Sequence, residues 1–183
     1  CDVVPLKGVN RALVTQGLKV MAKRANVGLC ALSDVAGIKE RPDAYHLGYV
    51  LGPRVNAGGR VGQAGLGSRL LSTADAAEAA DIARQLDAYN KERQEIEAVV
   101  LLEAIEQVEG RADDGLPLVL AQGENWHPGV IGIVAGRLKE RYGRPACVIA
   151  LEGGEGKGSG RSVPGLDLGS AVIAARQEGL LKA

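Results

Sequence analysis

Apolar and polar positions along the chain fall into three patterns. Between Asn10 and Ala25, the residues Leu13, Val20, Met21 and Arg24 recur at helical spacing. Leu29, Leu32, Val35 and Ala36 predict a second short helix closed by Gly37. Asp43 can cap a further turn through Tyr45, Leu47 and Val50 that ends at Gly52-Pro53. From Arg54 to Gly67 glycine is too frequent for regular structure, and a loop is expected. The middle pattern is the strongest. Ser72 with Asp75 three residues on reads as a capping box, no Gly or Pro occurs from Ala74 to Glu109, and Gly110 supplies a stop. Ile82, Leu86, Tyr89, Arg93, Ile96 and Val100 make one stripe at alternating steps of four and three. A single helix of that extent is about 50 Å long, and such helices join two bodies or pack across both; the alternative is two helices broken near Gln94. The third pattern alternates strand and helix. Leu116 to Ala121 predicts a strand, Val130 to Arg141 a helix and Ala146 to Leu151 a buried strand. Gly153 to Gly158 predicts a turn into a strand over Ser159 to Val163, and Asp167 can cap a last helix through Val172, Ile173 and Ala175. Strand, helix, strand is the right-handed unit of a mostly parallel sheet, so the fold class expected is α/β.

Composition narrows the function classes. A chain of 183 residues holds one large or two small domains, and 46% hydrophobic content supplies a core and excludes general disorder. Lys plus Arg and Asp plus Glu both total 22, which argues against an indiscriminate polyelectrolyte binder and leaves room for a local basic groove. Aromatics are 3% with no Phe, a poor basis for a sheet that stacks nucleobases. Cys1, Cys30 and Cys147 are odd in number and widely spaced, giving neither a disulfide framework nor a zinc site. No apolar run reaches the ~18 residues needed to span a bilayer and no signal-peptide pattern occurs, so no membrane role is expected and a cytoplasmic protein is. The chain opens on Cys1 and its only Met is Met21, which reads as an internal piece of a longer protein.

Four stretches carry candidate chemistry. In Leu51 to Arg60, Arg54 and Arg60 flank small residues that would let backbone N–H groups approach a ligand, and arginine suits bidentate phosphate contacts; the plain alternative is a turn with two solvated arginines. Trp126-His127-Pro128-Gly129-Val130 follows a strand and opens a helix, where ligands of α/β sheets bind; the alternative for His127 is a cap or packing residue. In Gly156 to Ser162, strand alternation puts Lys157, Ser159 and Arg161 on one face as a cradle for a terminal phosphate, with Ser162 beyond; the alternative is an ordinary polar hairpin. Asp2, beside Val3-Val4-Pro5-Leu6, could ligate a metal, although the residue alone says little; His46 reads as structural. A phosphate-binding P-loop, a nucleophile elbow and a converging set of metal ligands are all missing from the sequence pattern.

In series, these stretches resemble the RecJ family, the single-strand-specific DNA exonucleases of the DHH phosphoesterase superfamily. Asp2-Val3-Val4-Pro5-Leu6 with Asn10-Arg11 and Gly17-Leu18 resembles A-D-V-x-P-L…N-R…G-L, and Leu51 to Arg60 resembles G-P-R-x-N-A-x-G-R. Leu86, Asn90, Arg93 and Gln94 match L-x-x-x-N-x-x-R-Q, His127 to Ala135 matches H-x-G-V-x-G-I-V-A, and Ser159 to Ser162 matches S-x-R-S. The resemblance implies the C-terminal part of a DHH catalytic lobe over 1–71, a long connecting helix over 72–110 and the N-terminal part of a DHH-associated substrate-binding lobe over 111–183. It implies that Asp2 ligates Mn²⁺ or Mg²⁺, that Arg54, Asn56 and Arg60 lie near the DNA backbone, that His127 serves catalysis, that Trp126 beside it binds substrate, and that Lys157, Ser159, Arg161 and Ser162 hold the 5′ phosphate end. It further implies metal-assisted release of 5′ mononucleotides from single-stranded DNA in repair and recombination, with single-strand-binding protein or a helicase as partners. The family's D-x-D, D-H-H and G-G-H motifs are absent, so most metal ligands are expected outside this chain and the chain alone is expected to be inactive. The alternatives are a DHH-type phosphodiesterase of oligonucleotides or cyclic dinucleotides, and a non-catalytic single-strand-binding scaffold.

Overall fold

The computed structural model describes residues 4–111 and 116–182. They divide into two compact units, Cys1–Gln94 and Glu95–Ala183.

In the first unit, α1 (Gly8–Met21) precedes α2 (Val27–Val35), which Asn26 caps by accepting the Leu29 N–H at 2.8 Å. Helix α1 stops three residues before Arg24, which adopts φ 53° and gives its guanidinium to both oxygens of Asp34 at 2.7 Å. Asp43 does cap the next turn, accepting the His46 N–H at 3.0 Å, but that turn is a π-helical segment (His46–Leu51) that does not end at Gly52-Pro53. It runs straight into α3 (Gly52–Val61), followed by α4 (Leu66–Ser72). The expected loop over Arg54 to Gly67 is thus mostly helix. Pro53 sits in the first turn, where no N–H is required. The glycines are contact points: a Cβ on Gly58 would meet the Gln63 carbonyl oxygen at 2.6 Å and Leu86 at 3.2 Å, and one on Gly67 would meet the Val55 carbonyl oxygen at 2.7 Å. On α2, a Cβ on Gly28 would lie 1.8 Å from the Leu70 carbonyl oxygen of α4.

Helix α5 (Ala76–Glu109) is unbroken for 34 residues, with no interruption near Gln94. Its cap is Asp75, which accepts the Ala77 and Glu78 N–H groups at 2.8 and 3.1 Å, whereas Ser72 closes α4 on the Arg69 carbonyl. The cap therefore lies three residues later than the sequence pattern suggested, and it is not a reciprocal box: Glu78 accepts from Arg69 and Thr73, while the Asp75 N–H donates to Thr73 Oγ1. Ala79, Ile82, Ala83 and Leu86 of α5 complete a core with Leu32, Leu51 and Leu70, while Val100 and Ala104 belong to a second core in the other unit. Helix α3 meets α5 through a polar contact as well. Arg54 Nε donates to Asp87 Oδ1 at 2.8 Å, Arg54 Nη1 donates to the Val50 carbonyl at 2.7 Å, and Lys91 Nζ lies 2.9 Å from Asp87 Oδ2. Burial of Asp87 opposes its ionisation, but hydrogen bonds from Lys91 and Arg54 outweigh it and hold the carboxyl below its usual range.

The second unit is a three-stranded sheet, β1 (Val119–Glu124), β2 (Ala146–Glu152) and β3 (Glu155–Arg161), in that order, with α6 (Ile131–Tyr142) and α7 (Leu168–Gln177). Strands β1 and β2 are parallel around α6, as the strand–helix–strand pattern requires, and β3 returns antiparallel. Only Gly153-Gly154 forms the turn, at φ 57° and 82°, so β3 starts at Glu155 and ends at Arg161 where the sequence placed a strand over Ser159 to Val163. Two left-handed residues suit a two-residue hairpin matched to strand twist, and glycine adopts them at no steric cost. The outer edge of β1 is covered from α5: the Gln107 amide both donates to the Gln122 carbonyl and accepts the Gln122 N–H, at 2.9 and 2.8 Å, and Arg111 donates to Leu120. Such cover blunts an otherwise adhesive strand edge. Asp167 caps α7 as expected, accepting the Ser170 N–H at 2.9 Å. No helix among the described residues is long and apolar enough to cross a membrane.

The contact role of glycine separates two substitutions. Gly28→Ala is expected to cost about 3 kcal/mol by overpacking α2 against α4, whereas Gly59→Ala, with open space around it, is expected to gain about 0.5–1 kcal/mol of helix stability. Urea unfolding of both variants checks this; equal midpoints would refute it. The Asp87 carboxyl, lower in the folded than in the unfolded chain, contributes stability in full above about pH 4, and that contribution disappears as pH falls through the folded value. Asp87→Asn should therefore flatten the loss of stability between neutral and acidic pH, and a curve parallel to that of the parent would contradict this.

Candidate functional site

The β2–β3 register brings candidate residues onto the helical side of the sheet. Arg161, Ser159 and Lys157 stand opposite Ala146, Val148 and Ala150, all buried in the core that includes α6. The intervening Gly160, Gly158 and Gly156 stand opposite Cys147, Ile149 and Leu151, and Leu168 packs so closely that a Cβ on Gly160 would lie 2.7 Å from it. Ser159 and Arg161 reach the first turn of α6. A Cβ on Gly132 would lie 2.9 Å from Arg161 Nη2 and 3.0 Å from Ser159 Oγ. Arg161 Nη1 also donates to the Gly160 carbonyl at 2.8 Å and approaches Ser159 Oγ at 3.4 Å, which orients the guanidinium. The Val130 N-cap offers no side-chain acceptor, and the first turn of α6 holds no acidic residue. The Ile133 N–H is taken by the Val130 carbonyl at 2.8 Å, and the helix dipole gives this end of α6 partial positive charge beside a cation and a hydroxyl. Such a set holds a tetrahedral oxyanion by charge-assisted hydrogen bonds.

His127 opens the same helix. Its Nδ1 accepts the Gly129 N–H at 3.0 Å and its carbonyl accepts the Val130 N–H at 3.1 Å, so the neutral ring carries its proton on Nε2. The tertiary structure thus brings together the His127 stretch and the Ser159–Arg161 stretch, which the sequence presents as separate. Lys157 shares their face of β3 and is exposed.

Other candidates stand elsewhere. Trp126 was expected at the substrate; it is only 6% exposed, its indole N–H donates to Glu103 at 2.6 Å, and its ring lies where a Cβ on Gly123 would be. It is a core residue anchoring the β1–α6 loop. Ser162 points into the turn before α7, donating to the Leu166 carbonyl at 2.5 Å, and strand alternation separates it from Ser159 and Arg161. Arg54 is engaged internally, by Asp87 and by the Val50 carbonyl. Asn56 and Arg60 are half-buried on α3 and have partners of their own, and the helix removes the expected approach of loop N–H groups to a ligand. Asp2 lies outside the described residues. Among the described residues no three His, Cys, Asp or Glu side chains converge in a way that could hold a metal ion. Of the cysteines, Cys147 is half-buried, which pushes its thiol up and makes it a poor nucleophile.

Sequence reasoning passed over two roles. Gly132 leaves the space that Ser159 and Arg161 fill, and only its place in the first helical turn hinted at that. Asp87, Asn90 and Arg93 are buried polar residues of α5, with Arg93 Nη2 donating to Asn90 Oδ1 at 2.9 Å. Their clue was charge lying on or beside the apolar stripe.

Residues 115–179 match the family model of the DHHA1 domain. The single-stranded-DNA-specific exonuclease RecJ of Dickeya dadantii is 45% identical over 93% of this chain, and that of Bacillus subtilis is 40% identical over 91%. The chain spans 31% and 22% of those two relatives, about a third of their length or less. The crystal structure of RecJ from Thermus thermophilus in complex with Mg²⁺ superposes with a TM-score of 0.82 at 36% identity, covering the whole chain and 28% of that structure. A crystal structure of exonuclease RecJ bound to manganese gives 0.80 at 37% identity, covering 99% of this chain and 44% of that one. Its sequence motifs, its mixed α/β fold and these likenesses agree over nearly its full length, so the whole chain is similar to one part of the RecJ exonucleases.

Proposed function

We propose that the protein containing this chain is a single-stranded-DNA-specific exonuclease of DNA repair and recombination, hydrolysing phosphodiesters from the 5′ end and releasing 5′ mononucleotides. The observation that carries this reading is the seating of Ser159 and Arg161 over Gly132 at the N-terminus of α6. That arrangement recognises a phosphate without reading a base, as an enzyme that consumes any sequence must. In this reading residues 111–183 are the N-terminal part of the DHH-associated lobe, in keeping with the DHHA1 match, residues 72–110 are the connecting helix, and residues 1–71 are the C-terminal part of the DHH lobe.

The chain's own residues bind and orient. Arg161 and the α6 N-terminus hold the terminal phosphate, Ser159 donates to one of its oxygens, and Lys157 adds positive charge along the same strand. His127, with its proton on Nε2, offers a donor beside that phosphate. Asn56 and Arg60 meet the DNA backbone from the first unit. Mg²⁺ or Mn²⁺, each present in a related structure, is the cofactor, and when bound it supplies an activated water. On the family resemblance this chain contributes Asp2 as a ligand, and the other ligands come from elsewhere in the intact protein. A cytoplasmic location, with single-strand-binding protein or a helicase as partners, accompanies that work.

In the intact protein, Arg161→Ala is expected to raise KM for 5′-phosphorylated oligo(dT) by about tenfold or more, the worth of a charge-assisted hydrogen bond. KM for the 5′-hydroxyl strand should change little. Gly132→Ala should act in the same direction by displacing Arg161 and Ser159. Steady-state kinetics on the two strands measures this, and equal effects on both would remove the phosphate assignment. Asp2→Ala should abolish cleavage of single strands while filter binding persists; retained turnover would rule out metal ligation by Asp2. Parallel assays on duplexes and cyclic dinucleotides separate the proposed substrate from the alternatives.

A further inference from the structure

Helix α3 presents glycines to side chains of α5. At about 100° per residue, Arg54 and Gly58 lie on one row of α3, and both face α5: Gly58 approaches Leu86 and Arg54 bonds Asp87. Gly62, just past the helix, lies against the Tyr89 ring. The Leu86 side chain and the Tyr89 ring fill the notches at Gly58 and Gly62, and such apolar contacts are non-directional. The directional contact on this row is the Arg54–Asp87 pair. Asp87 is 8% exposed, and Arg54 also donates to the Val50 carbonyl in the preceding π-helical segment, so one guanidinium ties three elements together. Asn56 and Arg60 stand about 180° away, on the opposite row of α3.

We propose that Asp87 is a positioning residue for substrate: by engaging Arg54 it sets the rotation of α3 and so the presentation of Asn56 and Arg60 to the polynucleotide backbone. This rests on the single-strand exonuclease reading above. It also assigns Arg54 an internal role and removes it from the residues that touch phosphate. Lys91, on the other oxygen of Asp87, keeps the carboxylate ionised, so the pair persists across the neutral range.

The test uses the intact protein with Asp87→Ala, Asp87→Asn, Arg54→Ala and the Arg54/Asp87 double alanine variant, on 5′-phosphorylated oligo(dT). Asp87→Ala is expected to raise KM about tenfold with kcat little changed, as displacement of a binding group does. Asp87→Asn, which keeps an acceptor for Arg54, should restore most of that loss. The double variant should be no worse than either single one, since both break the same contact. The salt dependence of binding separates the two roles of Arg54. A positioning Arg54 leaves the slope of log K against log salt unchanged on removal, whereas a phosphate-binding one lowers it by about one. Unchanged KM in a folded Asp87→Ala variant, tighter binding on removal of Asp87, or a reduced slope in Arg54→Ala would each overturn the proposal. Should Asp87→Ala fail to fold, the Asp87→Asn kinetics and the Arg54→Ala slope still decide it. If the parent protein itself does not cut single strands, the exonuclease reading fails, an outcome distinct from these.

Discussion

One helix without glycine or proline supplies apolar positions to two separate cores. Over 34 residues, α5 gives Ala79, Ile82, Ala83 and Leu86 to the first core and Val100 and Ala104 to the second. Neither core closes without it. Breaking the helix would create a new pair of termini, each with unsatisfied backbone groups to cap, so one continuous helix serves both cores with the fewest ends. The same helix carries polar anchors into each unit: Asp87 holds Arg54 in the first, and Glu103, Gln107 and Glu109 hold Trp126, the β1 edge and Arg141 in the second.

Glycine is the second organising device. Gly28 and Gly67 let helix backbones meet at distances that a methyl group would forbid, Gly58 does the same for the loop carbonyl of Gln63, and Gly132 leaves the space that Arg161 and Ser159 occupy. A helix built this way has little intrinsic stability, since interior glycine is disfavoured by about 1 kcal/mol each. It depends instead on packing and on directional polar contacts such as Arg54–Asp87.

In the second unit, anion-directed chemistry follows from a short βαβ unit with one antiparallel strand added. The crossover puts the N-terminus of α6 beside the carboxyl end of β1, and the hairpin returns β3 so that its last residues arrive over the same helix turn. Arginine and serine thus lie together at a helix end, whose partial positive charge favours anions.

The sequence by itself determined the long helix, the parallel strand pair with its crossover helix, and the cap at Asp167. Each is written in local periodicity or in a residue bonding its own neighbours. It also determined the likeness to the RecJ exonucleases, through motifs spaced along most of the chain, and the alternation that sets Lys157, Ser159 and Arg161 on one face. Tertiary structure alone decided that the glycine-rich stretch after Leu51 is helix, because the contacts favouring glycine there come from Gln63, Leu86 and Val55 rather than from adjacent residues. It likewise decided that Trp126 and Arg54 serve the fold while Arg161 joins the α6 N-terminus. An arginine or a tryptophan looks the same in sequence whether its partner is Asp87, Glu103 or a ligand, since the partner is chosen by long-range packing.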